Sequence, residues 1–257
     1  MLDLLRTRLA QGMGTSPFPD GPAPLPERFR GRPVFAADRC PDACGECRTR
    51  APSEVIVAGS DGAARLDLGA CLFTPEEAAA CPHGALEFTT DYALAARSRA
   101  ELVTTSGQPT PVRPLNAAMR RLFGRSLRLR SVSAGSCSGC EAELVALGNA
   151  VFDMARFGIQ FVASPRHADG IVLTGAVSRN MEEALLKTYE ATPAPKLVIA
   201  VGACAINGGP FRGSPEVLNG APASLPVDLW IPGCPPHPQT TLHALLGLLG
   251  RLERNHR

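Results

Sequence analysis

Nine cysteines lie along the 257 residues, and their spacing carries most of the chemistry this chain can do. Cys137 and Cys140 form a C-x2-C pair in SAGSCSGCEAE, Cys204 stands in VGACAINGGPF, and Cys234 stands in IPGCPPHP. Each stretch follows an apolar run and is rich in Gly or Pro. Glycine lets a backbone turn sharply and approach closely, and Pro235-Pro236 fixes the exit of its loop while removing two amide donors. Gly208-Gly209 relieves the same crowding. Four thiolates delivered from three loops suit a bulky inorganic cluster whose sulfides accept hydrogen bonds from nearby amides. A C-x2-C pair alone fits zinc or a redox pair equally well, so the two further cysteines strengthen the signal. The other five are Cys40, Cys44, Cys47, Cys71 and Cys81. Cys40-Pro-Asp-Ala-Cys44-Gly-Glu-Cys47 is followed by Ala51-Pro52, and Cys71 and Cys81-Pro82 frame Thr74 and Glu77.

These cysteines need elements to hold them. After about residue 127, strand-like runs (159–162, 170–173, 196–201, 227–231) alternate with helical patterns at 140–152, 179–190 and 237–254. That alternation predicts an α/β fold with a parallel, doubly wound sheet. Ligands of such sheets sit in the loops beyond the carboxyl ends of the strands, where Cys137, Cys140, Cys204 and Cys234 all fall. Residues 1–33 read as an amino-terminal arm, Pro- and Gly-rich over 12–33. Residues 34–103 read as a small domain, with a strand at Glu54–Val57 and a turn at Gly59–Gly62. The segment 104–126 is a linker followed by a basic amphipathic stretch. There Met119, Leu122 and Phe123 share one face, either packed by one edge or serving as a docking surface.

Composition excludes several classes. A formal charge of +2 gives no field pointing to nucleic acid, and one Trp with two Tyr is a poor stacking inventory. No run approaches the roughly 18 apolar residues of a membrane span, and MLDLLRTRLAQGMG is too short and polar for a signal-peptide core. Arg120-Arg121 lies too far along the chain to read as a twin-arginine export signal. A cytosolic, reducing setting is therefore expected, where nine cysteines mean metal ligation or redox chemistry rather than disulfides.

GSCSGCEAE (135–143), SPRHADGIVLTGAV (164–177), PKLVIAVGACAINGGPF (195–211) and PVDLWIPGCPPHPQTTLHALLGLL (226–249) occur in this order. Over about 127–252 the chain resembles the small subunit shared by membrane-bound, energy-converting nickel-iron hydrogenases and the 20 kDa subunit of respiratory complex I. The resemblance implies a flavodoxin-like sheet in a domain spanning 127–257. It also implies one 4Fe-4S cluster on Cys137, Cys140, Cys204 and Cys234, beside the active centre of a large catalytic subunit. Complex I subunits carry adjacent cysteines at the first site, whereas Ser138-Gly139 separates the pair here, which favours the hydrogenase branch. The chain ends soon after the helix following Cys234, as the short membrane-associated type does.

The amino-terminal cysteines resemble those of a bacterial ferredoxin, C-x2-C-x2-C-x3-C-P, in which the fourth cysteine of each motif ligates the other cluster. Ala51, Thr74 and Glu77 occupy ligand positions that would all belong to the second cluster. Cys40, Cys44, Cys47 and Cys81 form the full set for the first, giving two 4Fe-4S clusters in all and leaving Cys71 as a small buried hydrophobe. The x3 spacing between Cys40 and Cys44 departs from that motif. EFTTDYALAARSRAELV (87–103) resembles the tail of the ferredoxin-like subunits that accompany these hydrogenases, so the chain reads as a fusion of two neighbouring subunits. The expected function is electron relay between a large catalytic subunit and a redox partner. The assembly would be of the formate hydrogenlyase or energy-converting hydrogenase type, peripheral on the cytoplasmic face of the inner membrane through its membrane subunits. The alternatives are a complex I-like quinone oxidoreductase subunit without nickel and a zinc-stabilised binding module. No residue here is expected to be catalytic. Glu141 and Glu143 sit in a helix's first turn, where the macrodipole favours carboxylates, and the family resemblance points to Glu143 for proton transfer. Arg166 and His167 either tune the cluster or form a solvated loop pair. His83 is expected to be structural, and His237, His243 and His256 to be surface or helix residues without a metal role.

Overall fold

The apolar runs at 170–173 and 196–201 become strands because both of their faces are covered, which continuous aliphatic sequence satisfies. The computed structural model describes residues 2–36, 39, 46–58, 64–104 and 111–252. Among these the chain passes through α1 (Leu2–Gln11), β1 (Pro33–Phe35), α2 (Glu46–Arg50), β2 (Ile56–Ala58), β3 (Ala64–Asp67), α3 (Pro75–Ala79) and β4 (Leu86–Phe88). It continues through β5 (Val103–Thr104), α4 (Ala117–Phe123), β6 (Leu127–Ser133), α5 (Gly139–Ala146), β7 (Ile159–Phe161) and β8 (Gly170–Thr174). The last elements are α6 (Arg179–Ala191), β9 (Leu197–Val201), α7 (Ala203–Asn207), β10 (Leu229–Ile231) and α8 (Pro238–Leu248).

Five strands form a wholly parallel sheet in the order β10-β9-β8-β6-β7. Taken in sequence order these strands lie two-one-three-four-five, the flavodoxin-like form of the doubly wound fold, with its switch point between β6 and β8. Every residue of β8 and β9 is buried. Their alternate side chains serve two cores, as the period of a strand requires. Val172 and Ile199 pack with Leu144 of α5 and Leu245 of α8, while Ile171, Leu173 and Val198 pack with Leu185 of α6.

Helical reach is shorter than the pattern predicts in two places. The helix expected over 140–152 ends at Ala146, where Asn149 Oδ1 accepts from the amides of Val151 (2.9 Å) and Phe152 (3.0 Å) and turns the chain away. The helix expected over 237–254 ends at Leu248, ahead of Gly250 at φ +68°. In the basic segment, α4 brings Phe123 and Met119 to the main core, but Leu122 stays 58% exposed.

The first half adds two small antiparallel sheets, β1-β4 and β2-β3-β5. The strand expected from Glu54 begins two residues later, and the Gly59–Gly62 turn lies outside the described residues. This half is tied to the parallel sheet. Ala96 and Trp230 exchange both backbone hydrogen bonds, at 3.0 and 2.9 Å, so residue 96 continues the sheet beyond β10. Leu68, Ala96, Leu102 and Ile206 close an apolar seam beneath this bridge, and Arg99 grips the Asp67 carboxylate through two nitrogens at 2.8 and 2.5 Å. The arm also differs from a loose extension. Phe18 is buried in the main core against Tyr92 and His243, a burial worth about 1.5–3 kcal/mol. Arg156 fixes this stretch by donating to the carbonyls of Ser16 (2.8 Å) and Phe18 (2.7 Å). By contrast α1 buries no residue. Among the described residues no helix is long and apolar enough to cross a membrane.

Candidate metal centre

Three loops at the carboxyl edge of the sheet bring Cys137, Cys140, Cys204 and Cys234 together. The first leaves β6 and enters α5 through Ser138, a residue at φ +67°, placing Cys140 in the first turn of the helix. The second leaves β9 through Gly202 and puts Cys204 in α7. The third leaves β10 through Gly233. Cys140 and Cys204 are buried, Cys234 is half-buried and Cys137 is exposed. Burial chiefly pushes the Cys140 thiol far above its ordinary range, and Cys204, Cys234 and Cys137 each add to this. Burial likewise pushes Cys204 up to about 12, with Cys234 and Cys137 adding. Cys234 is raised by burial and then by Cys137. Every pair among the four therefore lies within electrostatic reach. Burial and the neighbouring sulfurs thus disfavour the thiolate form of Cys140, Cys204 and Cys234, a cost that a bound cation offsets.

Glycines keep this space open. A Cβ on Gly202 would stand 2.5 Å from Cys140 Sγ, and one on Gly209 would stand 2.8 Å from Cys204 Sγ. Both residues have positive φ. This donor set of soft sulfurs on close-approaching glycine loops fits a thiolate-ligated cluster. Among the described residues no three His, Cys, Asp or Glu side chains stand close enough to share one metal ion. A four-iron cubane takes one thiolate per iron and spreads its ligands wider than a single ion does.

The carboxylates beside the edge differ from each other. Glu141 Oε1 accepts from Ser136 Oγ (2.6 Å) and Thr174 Oγ1 (2.5 Å), and its buried Oε2 has no partner. Burial is the largest influence on Glu141 and pushes its pKa up, but combined donation from Ser136, Thr174 and Ser133 outweighs it and holds the carboxyl below its ordinary value. These contacts go beyond the helix-terminus role expected for Glu141. The position of Ser136 between strand and C-x2-C was a signal for such a donor; Thr174, from a different strand, left none. Burial raises Glu143, which lines a cleft of about 210 Å³ with Cys234, His237 and, from the arm, Arg28 and Arg30. The cleft is a feature the arm's composition did not reveal.

Arg166 and His167 are exposed in a turn that precedes β8, at the amino-terminal edge of the sheet. They take the solvated-loop alternative, since the cysteines occupy the opposite edge. His237 and His243 take the helix alternative, His237 capping α8 and His243 lying within it, both half-buried. His237 Nδ1 accepts from the Gln239 amide (3.1 Å) between Phe29 and Phe152, and His243 packs on Tyr92 and Phe18; burial lowers both pKa values. His83 is exposed in a turn, and His256 lies outside the described residues.

In the first half, Cys47 and Cys81 are buried in one apolar cluster with Cys71, and the Ala85 amide donates to Cys81 Sγ at 3.2 Å. Cys40 and Cys44 lie outside the described residues. Thr74 and Glu77, read from spacing only as absent ligands, have a structural identity of their own. Glu77 is fully buried and accepts from Ser53 Oγ, the Leu72 amide (2.8 Å), the Thr74 amide (3.1 Å) and the Cys71 thiol (3.3 Å). Nothing in a count of missing cysteines predicts that network.

Sheet order and a thiol-lined carboxyl edge define a doubly wound α/β protein that presents its chemistry between βα loops. Residues 137–248 match the family model of the NADH ubiquinone oxidoreductase 20 Kd subunit. The chain is 40% identical over 155 residues to formate hydrogenlyase subunit 7 of Escherichia coli, covering 58% of this chain and 61% of that one. It is 41% identical over 138 residues to a probable membrane-bound hydrogenase subunit, mbhJ, of Pyrococcus furiosus, covering 54% of this chain and 83% of that one. It is 47% identical over 128 residues to an NADH-quinone oxidoreductase subunit of Bacteroides thetaiotaomicron, covering 49% of this chain and 64% of that one. The chain belongs to this 20 Kd subunit family. It spans about three-fifths of the length of formate hydrogenlyase subunit 7.

Proposed function

We propose that this chain is an iron-sulfur electron-transfer subunit of an oxidoreductase complex of the formate hydrogenlyase or energy-converting hydrogenase type. The observation that carries the reading is the convergence of four thiols from three loops, each pair within electrostatic reach. Cys137, Cys140, Cys204 and Cys234 would hold one 4Fe-4S cluster, which when bound supplies one-electron transfer. The chain's own part is to shield that group on the side of the buried Cys140 and Cys204, keep its space clear with Gly202 and Gly209, and set the surrounding charge. Glu143, half-buried beside Cys234, would take up or release protons at its carboxylate.

Residues 34–103 would form a single-cluster ferredoxin-like unit, with Cys40, Cys44, Cys47 and Cys81 holding a second 4Fe-4S cluster. The burial of Cys47 and Cys81 in one apolar cluster supports this. Residues 1–33 serve as an arm, 104–126 as connector and 127–257 as the α/β domain. The partner is a large catalytic subunit, with membrane subunits reached through the assembly at the cytoplasmic face and no nucleic-acid role. The names of the hydrogenase relatives and the Ser138-Gly139 spacing favour this branch; a complex I-like assembly without nickel is the second reading, supported by the similarity to the NADH-quinone oxidoreductase relative.

Anaerobically purified protein should contain iron and acid-labile sulfide equivalent to about two cubanes and show broad visible absorbance. Content near one cubane would remove the amino-terminal cluster, and stoichiometric zinc without sulfide would remove the whole reading. Nickel in a co-purified large subunit separates the hydrogenase branch from the second.

A further inference from the structure

The stretch Cys71–Glu77 occupies positions that would have served a second ferredoxin-type cluster, and its Leu72 and Phe73 line clefts shared with the Cys204 and Cys234 loops. Phe73 faces Cys234 across the cleft of about 210 Å³, held there by Arg30 Nε donating to its carbonyl at 2.5 Å. On the other side, Ala51 and Leu72 share a cleft with Asn207 and Gly209 of the Cys204 loop. The Glu77 carboxylate, which accepts from the amides of Leu72 and Thr74 on either side of Phe73, has 0% exposure. Both of its oxygens accept backbone amides that can only donate, the Leu72 N–H at Oε1 and the Thr74 N–H at Oε2. Among the described residues no Arg, Lys or His pairs with it. Its charge is felt at Cys234, where it raises the thiol after burial and Cys137.

We infer that Glu77 is a fixed negative charge, supplied by the amino-terminal half, that sets the reduction potential of the cluster held at Cys137, Cys140, Cys204 and Cys234. This rests on the proposed presence of that cluster. A buried charge acts through a medium of low effective dielectric and is poorly screened by salt. Reduction adds an electron, so a neighbouring carboxylate makes the reduced state less favourable and lowers the potential. The position that would have been a ligand of one cluster thus becomes a source of field on another. Glu54 provides a contrast, because its carboxylate is exposed and already paired with Arg212 at 2.9 Å.

The test is a potentiometric titration of the full-length protein, followed by electron paramagnetic resonance. The relevant signal is assigned by its loss in Cys204→Ser. Iron and sulfide content of the unaltered protein tests the cluster reading separately. In Glu77→Gln with full iron content, the midpoint of that signal should move positive, by an amount independent of added salt, whereas Glu54→Gln should leave it in place. Should Glu77→Gln fail to assemble, Ser53→Ala, which removes one donor and leaves the carboxylate less neutralised, should move the midpoint negative. A midpoint unmoved in Glu77→Gln, moved equally by Glu54→Gln, or unmoved in Ser53→Ala when Glu77→Gln does not assemble, overturns the inference while leaving the cluster assignment standing.

Discussion

Replacing Gly202 with alanine tests whether the loop after β9 exists to admit a sulfur. Two costs arise. An L-residue at φ +91° holds a sparsely populated backbone state, worth about 1–3 kcal/mol. The new methyl would also stand 2.5 Å from Cys140 Sγ, and Cys140 is buried in the first turn of α5 with little room to retreat. Overpacking of this kind costs about 1–3 kcal/mol more. Together these approach a large fraction of a typical domain's stability, about 5–15 kcal/mol. Gly213 is the matched control, because it has φ +81° and a Cβ there meets nothing within 4 Å. Gly213→Ala therefore carries the backbone strain without the displaced sulfur. Each variant is purified anaerobically and assayed for iron, sulfide, visible absorbance and melting temperature, where each kcal/mol moves the midpoint by about 2–4 °C in a chain of this size. Gly202→Ala should melt several degrees below Gly213→Ala and lose the iron of the carboxyl-edge site, while Gly213→Ala keeps it. Equal melting temperatures and full iron in both would refute the claim that this glycine makes room for the Cys140 sulfur.

Cys204→Ser should remove about half of the iron, whereas Cys71→Ser, which keeps a hydrogen-bond donor for Glu77, should retain all of it; equal losses would break the division between ligands and the unused cysteine. Glu143→Gln should slow proton-coupled turnover of the assembled complex without altering iron content, and unchanged turnover discards the proton role. Asp228 has its pKa raised by burial, against donation from the Val198 amide and the attraction of Arg97. A carboxyl raised in the fold contributes its full stability below the ordinary carboxylate pKa and loses it as pH rises through the raised value. Asp228→Asn, whose amide oxygen can still accept from Val198, should therefore gain in urea midpoint over the unaltered protein at neutral pH, with the gain vanishing in acid.

The parallel sheet was readable because β8 and β9 are buried on both faces and so appear as unbroken aliphatic runs. The edge where the thiols gather followed from one rule about strand ends. Helix ends were less readable, since Asn149 ends α5 through its own side chain and nothing in the apolar spacing registers that bond. The burial of Phe18 was invisible for a different reason: a single aromatic among prolines and glycines has no period, and its pocket is made by Tyr92 and His243 from far along the chain. Glu77 shows the limit most clearly. Spacing marked Glu77 only as a position where a ferredoxin motif would carry cysteine, whereas the packed structure reveals a buried carboxylate with four donors there.

The two-way bond between Ala96 and Trp230 means that β10 offers no bare rim to a second molecule. An open flank of unmet amides and carbonyls invites pairing between copies and the growth of aggregates. Expressing the two halves as separate polypeptides would uncover that flank. The joined architecture thus guards solubility as well as tying the first half to the rim of the parallel sheet.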